Sequence, residues 1–355
     1  MFVTRGRPTA ADRARGSLAL AVLTLLGVLA VLPVVAVPVP ASSSPQGAFV
    51  NDSSRFVRVG GVAHHVVVEG SGPVCVLSAG LAMSWFDWDP VVPLLAPHRT
   101  VVRFDRPGHG LSAPAAVPPS ATGEAHRVAG LLDALRLPGP ATVVGHSIAG
   151  FHAEAFARLH PDRTAGIVLV DSSVEEHART PVAPALRTAA ARGLGAILGA
   201  AGAPAAFGPA FRRATVRLSR AAGGDPAPAA LVRRCYATSR VLNGALLENT
   251  HYRAVAAELL ALRERFPLPP GLPATVLAAP NGSARWARRQ RALARRLGAH
   301  YEAAEPSGHL MMLDRPDAVA RAVLDQALSR QELSPQALSE QEPSTRRSTG
   351  IQDRA

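Results

Sequence analysis

The sequence predicts an α/β protein: a mostly parallel, eight-stranded sheet flanked by helices, carrying a helical insertion. Two observations lead there. From residue 74 onward strand-like runs alternate with helical ones, the pattern of parallel strands joined by crossover helices. Runs such as Val74-Cys-Val-Leu-Ser78 and Ala141-Thr-Val-Val-Gly145 are apolar or small throughout, as expected of strands buried on both faces. Between about 175 and 268 the alternation stops, and Ala/Arg/Leu-rich helical stretches broken by Pro and Gly follow one another without a strand signal.

The elements follow in order. Residues 1–41 read as an N-terminal signal-anchor or signal peptide: Leu18 to Val37 carries no charge, interrupted only by Thr24, Gly27 and Pro33, behind Arg5, Arg7, Arg13 and Arg15. At about 1.5 Å per residue such a helix reaches about 30 Å, the thickness of a hydrocarbon core. The preceding arginines favour a cytoplasmic N-terminus. Val39-Pro40-Ala41 before Ser42 also fits signal cleavage, although the apolar run exceeds the usual signal length. Either reading puts the following domain outside the cytoplasm, at the cell membrane or secreted. Residues 42–54 are a linker, and 55–330 one domain, since α/β folds of this size commonly form a single unit.

Within that domain Phe56 to Val62 and His64 to Val68 form an antiparallel pair closed by Gly60-Gly61. Strands are expected at 74–78, 100–104, 141–145, 165–170, 274–279 and 299–304, and helices at 123–136, 148–159, 284–297 and 316–329. Residues 331–355, rich in Gln, Glu, Ser and Pro, are expected to be disordered.

Composition excludes more than it selects. The net charge is +12, yet no lysine is present, so all 38 basic residues are arginine, as in a compositional bias rather than a basic patch. No arginine run is interleaved with aromatics, and nucleic acid is not an expected partner. Metal-ligand spacings are missing, and no cofactor is called for. His64 and His65, on opposite faces of a strand start, read as edge-strand histidines without function. Cys75 and Cys235 are expected to be two free thiols, although a disulfide would be allowed outside the cytoplasm.

The chemistry-bearing stretch is Gly145-His146-Ser147-Ile148-Ala149-Gly150, a strand that turns abruptly into a helix with Ser147 at its tip. Such a turn strains the serine backbone and requires small neighbours two positions away, which Gly145 and Ala149 supply. Three further segments give it context: Val74 to Leu81, Asp105-Arg106-Pro107-Gly108-His109-Gly110-Leu111-Ser112, and the late Pro306-Ser307-Gly308-His309. In this order and at these separations they resemble the α/β-hydrolase family over roughly residues 55 to 330. One departure is Ala149, where the strict elbow pattern has glycine.

The resemblance implies an acyl-serine mechanism and a helical lid at about 175–268. Ser147 would be the nucleophile, and it needs an imidazole to take its proton. His309 is the first candidate; His146 points the other way from the elbow, and His109 belongs to a structural turn. The resemblance places the oxyanion donors on the backbone N–H groups of Leu81 and Ile148. Where many members have His-Gly, this chain has Ala79-Gly80. The family's usual acid position reads Ala278-Ala-Pro-Asn281-Gly-Ser-Ala-Arg285, without a carboxylate. Asp171, at the end of Gly166-Ile-Val-Leu-Val170, is the expected substitute because some relatives take the acid there, with Asn281 second and a loop-cap role for Asp171 the competing reading. Haloalkane dehalogenases and epoxide hydrolases attack with an aspartate at the elbow, whereas this chain has serine. The expectation is a membrane-tethered or exported serine hydrolase for small or medium carboxylic esters. The alternative is a weakly active or non-catalytic binding protein with an incomplete triad. Trp85, Phe86 and Trp88 are placed either along an acyl pocket or as packing of the loop onto the core.

Overall fold

The computed structural model describes residues 54–280 and 283–332. The apolar segment at 18–37, the linker before Ser54, Asn281 and the tail beyond residue 332 lie outside them. Among the described residues no single helix is long and apolar enough to cross a membrane.

Eight strands form one sheet: β1 (Ser54–Val59), β2 (Val62–Glu69), β3 (Val74–Ser78), β4 (Thr100–Phe104), β5 (Ala141–His146), β6 (Thr164–Val170), β7 (Ala274–Ala278) and β8 (His300–Ala303). Their spatial order is β1-β2-β4-β3-β5-β6-β7-β8. β2 is antiparallel to both β1 and β4, and all later pairings are parallel. The β1–β2 turn uses Gly60 and Gly61 at φ 55° and 78°, the positive values that a two-residue hairpin of the favoured hand demands.

The helices are α1 (Val92–Leu95), α2 (Ala121–Ala134), α3 (Ala149–Leu159), α4 (Pro184–Ala200), α5 (Ala203–Ser219), α6 (Ala229–Tyr236), α7 (Ser239–Arg265), α8 (Ala284–Leu297), α9 (Met311–Asp314) and α10 (Pro316–Glu332). Alternation along the parallel strands divides the core in two. Val102, Val143 and Leu169 face α2, α3 and α8 through Leu132, Phe156 and Leu293. Their neighbours Val101, Val144 and Val168 face the opposite layer with Trp88, Leu95, Met311 and Val323. Both faces are therefore covered, which is why these strands read as continuous apolar runs.

Helices α4 to α7 occupy the interval between β6 and β7, where the strand signal stopped. They are tied to the sheet domain by polar groups. Buried Arg212 of α5 pairs with Asp87 and Asp225 and donates to the Tyr236 hydroxyl at 3.0 Å. Arg240 donates to the carbonyls of His109, Gly110 and Ser112 at 2.7–3.2 Å. A Cβ on Gly244 of α7 would lie 2.8 Å from the Gly108 carbonyl oxygen, so glycines at both places let helix and turn meet backbone to backbone.

Some boundaries differ from expectation, each for a local reason. α2 starts at Ala121 because the Ser120 hydroxyl caps it, accepting from Gly123 N at 3.0 Å, and it ends where Arg136 turns to φ 57°. α10 continues to Glu332, past the start of the expected tail. The reading of His64 and His65 as edge residues is corrected: β1 is the edge, and both histidines are buried in β2. His64 Nδ1 donates to the Asp105 carbonyl at 3.1 Å, and His65 Nδ1 meets the Asp105 carboxylate at 3.1 Å. Both cysteines are buried free thiols, and burial pushes Cys75 up to about 12. Trp85 and Phe86 pack against Leu231, Val232 and Tyr236, so these aromatics bind the loop to the insertion.

Candidate active site

The C-terminal ends of β3, β5 and β6 and the loop after β8 converge, the edge of a parallel sheet where chemistry is usually placed. At the end of β5 Ser147 is held at φ 55°, a left-handed conformation that costs a non-glycine residue on the order of 1–3 kcal/mol. The surroundings enforce it. Ser147 N donates to the Val170 carbonyl at 3.1 Å, and its carbonyl accepts from Gly150 N and Ser173 N, each at 3.0 Å. A Cβ on Gly145 would stand 2.2 Å from the Ala149 carbonyl oxygen, whereas Ala149 itself is accommodated. The first small position of the elbow is thus absolute and the second is not.

His309, in the loop between β8 and α9, donates from Nδ1 to Asp171 Oδ2 at 2.6 Å. Asp171 follows β6 directly at φ 39°, a second strained residue. Its other oxygen accepts from Ala279 N at 3.0 Å and Trp286 Nε1 at 2.7 Å. The end of β7, the usual place of the acid, therefore contributes an N–H donor that holds an acid from the neighbouring strand. With its Nδ1 proton committed to Asp171, the His309 ring leaves Nε2 as a proton acceptor. The ring is partly exposed, whereas Asp171 is buried. No hydrogen bond joins the Ser147 hydroxyl to this ring in the described residues.

His146 is not turned away from the site, contrary to expectation. Its Nε2 donates to the His309 carbonyl at 2.8 Å, and the two rings lie 4.6 Å apart. Burial, and after it the neighbouring His309, hold the His146 imidazole well below the ordinary histidine range. A neutral, buried ring thus supports the backbone of the loop that carries His309. Gly80 belongs to the same packing, since a Cβ there would come within 2.6 Å of His146 Nδ1.

The backbone N–H groups of Leu81 and Ile148 donate to no other protein group among the described residues. The loop that presents Leu81 is held by a buried ion cluster without any local sequence signal. Arg106 donates to the Ala79 carbonyl and, at 2.7 Å, to the Gly80 carbonyl, while pairing with both Glu248 oxygens at 2.7 and 2.9 Å. Glu248 Oε2 also accepts from Ala82 N at 3.4 Å and lies 3.4 Å from His109 Nε2. Although burial opposes it, Arg106 holds the Glu248 carboxyl far below the usual carboxylate range. From the insertion the Tyr236 hydroxyl donates to the Ala82 carbonyl at 2.8 Å. His109 has the structural place expected of it. Arg106 stood in a noted motif but without a role, and Glu248 and Trp286 were not singled out at all.

The profile of the Alpha/beta hydrolase family matches residues 75–322. With the sheet order and the serine elbow described above, the chain belongs to the alpha/beta hydrolase family. It is 30% identical over 118 residues to 2-(acetamidomethylene)succinate hydrolase of Mesorhizobium japonicum, covering 33% of this chain and 42% of that protein. It is 35% identical over 126 residues to epoxide hydrolase B of Mycobacterium tuberculosis, covering 32% and 34%. To the pimeloyl-[acyl-carrier protein] methyl ester esterase of Nitrosomonas europaea it is 35% identical over 109 residues, covering 31% and 41%. The match thus spans at most 42% of the length of these relatives. Among solved structures the enol-lactonase of Burkholderia xenovorans LB400 superposes with a TM-score of 0.56 at 24% identity, over 77% of this chain and 100% of that one. Cfl2 of Burkholderia cenocepacia does so with 0.60 at 23%, over 77% and 94%. These two likenesses are to the fold alone.

Proposed function

We propose that this hydrolase cleaves small or medium carboxylic esters through an acyl-serine intermediate, with Ser147 as nucleophile, His309 as general base and acid, and Asp171 as the orienting carboxylate. One observation carries the reading: the 2.6 Å bond from His309 Nδ1 to an Asp171 whose other oxygen is already saturated by donors. That geometry leaves His309 Nε2 to take the Ser147 proton during attack and to return it to the departing alcohol. The Leu81 and Ile148 N–H groups, unspent and held by rigid backbone, would receive the developing oxyanion. Water activated by the same imidazole would then release the acid. The incomplete-triad alternative loses its main motive once Asp171 is bonded to His309. An aspartate-nucleophile reaction of the epoxide hydrolase kind is disfavoured by serine at the elbow.

The reading includes a place outside the cytoplasm, membrane-tethered or exported, supported by the uncharged run at 18–37 behind four arginines. The deciding experiment is labelling of the full chain with a fluorophosphonate, followed by peptide mass spectrometry. An adduct on Ser147 that disappears in His309→Ala is the expected result. Wild-type turnover of a p-nitrophenyl ester by Ser147→Ala would overturn the mechanism.

A further inference from the structure

The outer side of the insertion is apolar where a soluble surface is ordinarily charged. On α4 Leu186, Ala190, Gly193 and Ile197 repeat at the spacing of one helical stripe and are all exposed, Leu186 at 70% and Ile197 at 68%. On α5 Phe207, Ala210, Ala214 and Leu218 do the same, with Phe207 at 45% and Leu218 at 84%. One stretch across the two helices reaches the length and mean hydropathy of a membrane span, yet they are bent by 104° at their junction, an elbow rather than a span. The exposed charges on the two helices have one sign. No Asp or Glu occurs from residue 177 to 224, and the exposed charged groups of the two helices are Arg187, Arg192, Arg213 and Arg217.

We infer that this elbow docks onto a bilayer surface carrying anionic lipid. Apolar stripes flanked only by cations are what an interfacial helix needs: the stripe enters the headgroup boundary while the arginines meet lipid phosphates. A protein partner reading the same surface would have to supply acids without any opposite charge to fix its register, whereas a lipid surface needs no register. The docked helix also ends beside the catalytic loop. Ser219, the last residue of α5, accepts Leu310 N at 3.2 Å through its carbonyl. Arg220 reaches Asp314 at 2.8 Å, and Asp314 in turn accepts Gly308 N at 2.8 Å. The inference does not depend on the ester chemistry.

The test uses the full chain with a polarity-sensitive fluorophore on Ile197→Cys, and separately on Leu218→Cys. The native thiols are buried, so only the introduced one reacts. The protein is placed on vesicles of phosphatidylcholine alone or of phosphatidylcholine with phosphatidylglycerol. Because the readout is local, attachment through residues 18–37 does not by itself produce a signal. The expected result is blue-shifted emission, quenched by lipid-borne nitroxides, on the anionic vesicles only. It weakens with salt and by about fivefold for each of Arg187→Gln and Arg213→Gln. Unchanged emission on both vesicles overturns the inference, and so does an equal shift on phosphatidylcholine alone. A shift that follows protein concentration without lipid also overturns it and assigns the face to a second copy of the chain.

Discussion

Asp171 receives three donors on one carboxylate, so an amide in its place would oppose at least one of them with its own NH2 group. Asp171→Asn should lower the kcat of ester hydrolysis by up to about 10⁴, the loss seen when a triad histidine is held in the wrong tautomer. Asn281→Ala should leave kcat within about twofold, since orientation does not then pass through that residue. His152 offers a test of stability against pH. It is buried on α3 with neither ring nitrogen bonded to another group among the described residues, and burial lowers it to about 4. Between the unfolded value near 6.5 and about 4 the unfolded chain binds the proton that the folded chain refuses, so stability falls as pH drops. The slope from this one group approaches about 1.4 kcal/mol per pH unit in that window. His152→Leu should flatten the dependence and raise the midpoint of urea denaturation at pH near 5 relative to wild type, a comparison of two denaturation series.

At the scale of elements, the insertion and the sheet domain are joined at the loops that present the proposed catalytic groups. Arg106 and Glu248 link the loop after β3 to α7, and removing one partner of a buried pair leaves an uncompensated charge. Glu248→Ala should therefore cost about 3–5 kcal/mol in chemical denaturation. The wild-type pair contributes above the unfolded carboxyl value near 4.3 and loses that contribution as pH falls below it, since its folded value is depressed. The hydrogen-bonded link between α5 and the His309 loop is also sterically tight. A Cβ on Gly308 would stand 2.3 Å from the Ser219 carbonyl oxygen, and backbone cannot yield as a flexible side chain does. Gly308→Ala should displace the loop, costing about 1–3 kcal/mol in thermal or urea unfolding and lowering kcat more than it raises KM.

At the scale of the whole molecule, one side of the domain carries the sheet's C-terminal edge, and the insertion is fastened over it by Arg212, Tyr236 and Glu248. If the uncharged run ahead of the domain is an anchor, as proposed, the full chain should stay with membranes through a carbonate wash, its domain open to protease added from outside. A soluble mature form beginning at Ser42 would replace the anchor with a cleaved signal, and recovery in the cytosol would reject both.

What the sequence determined by itself is what depends on neighbours in the chain. Parallel strands buried on both faces must be continuously apolar, and a strand that turns sharply into a helix must carry small residues around its tip, so the sheet and the Ser147 elbow were legible. Asp171 could be proposed as the acid only by elimination and resemblance, because the bonds that support the proposal come from Ala279, Trp286 and His309, more than a hundred residues away in the chain. The same separation concealed the support that His146 gives to the His309 backbone and the hold of Glu248 on Arg106. Tertiary structure decided these, since a hydrogen bond or an ion pair depends on distance in space, and no periodicity records which distant side chains folding brings within 3 Å.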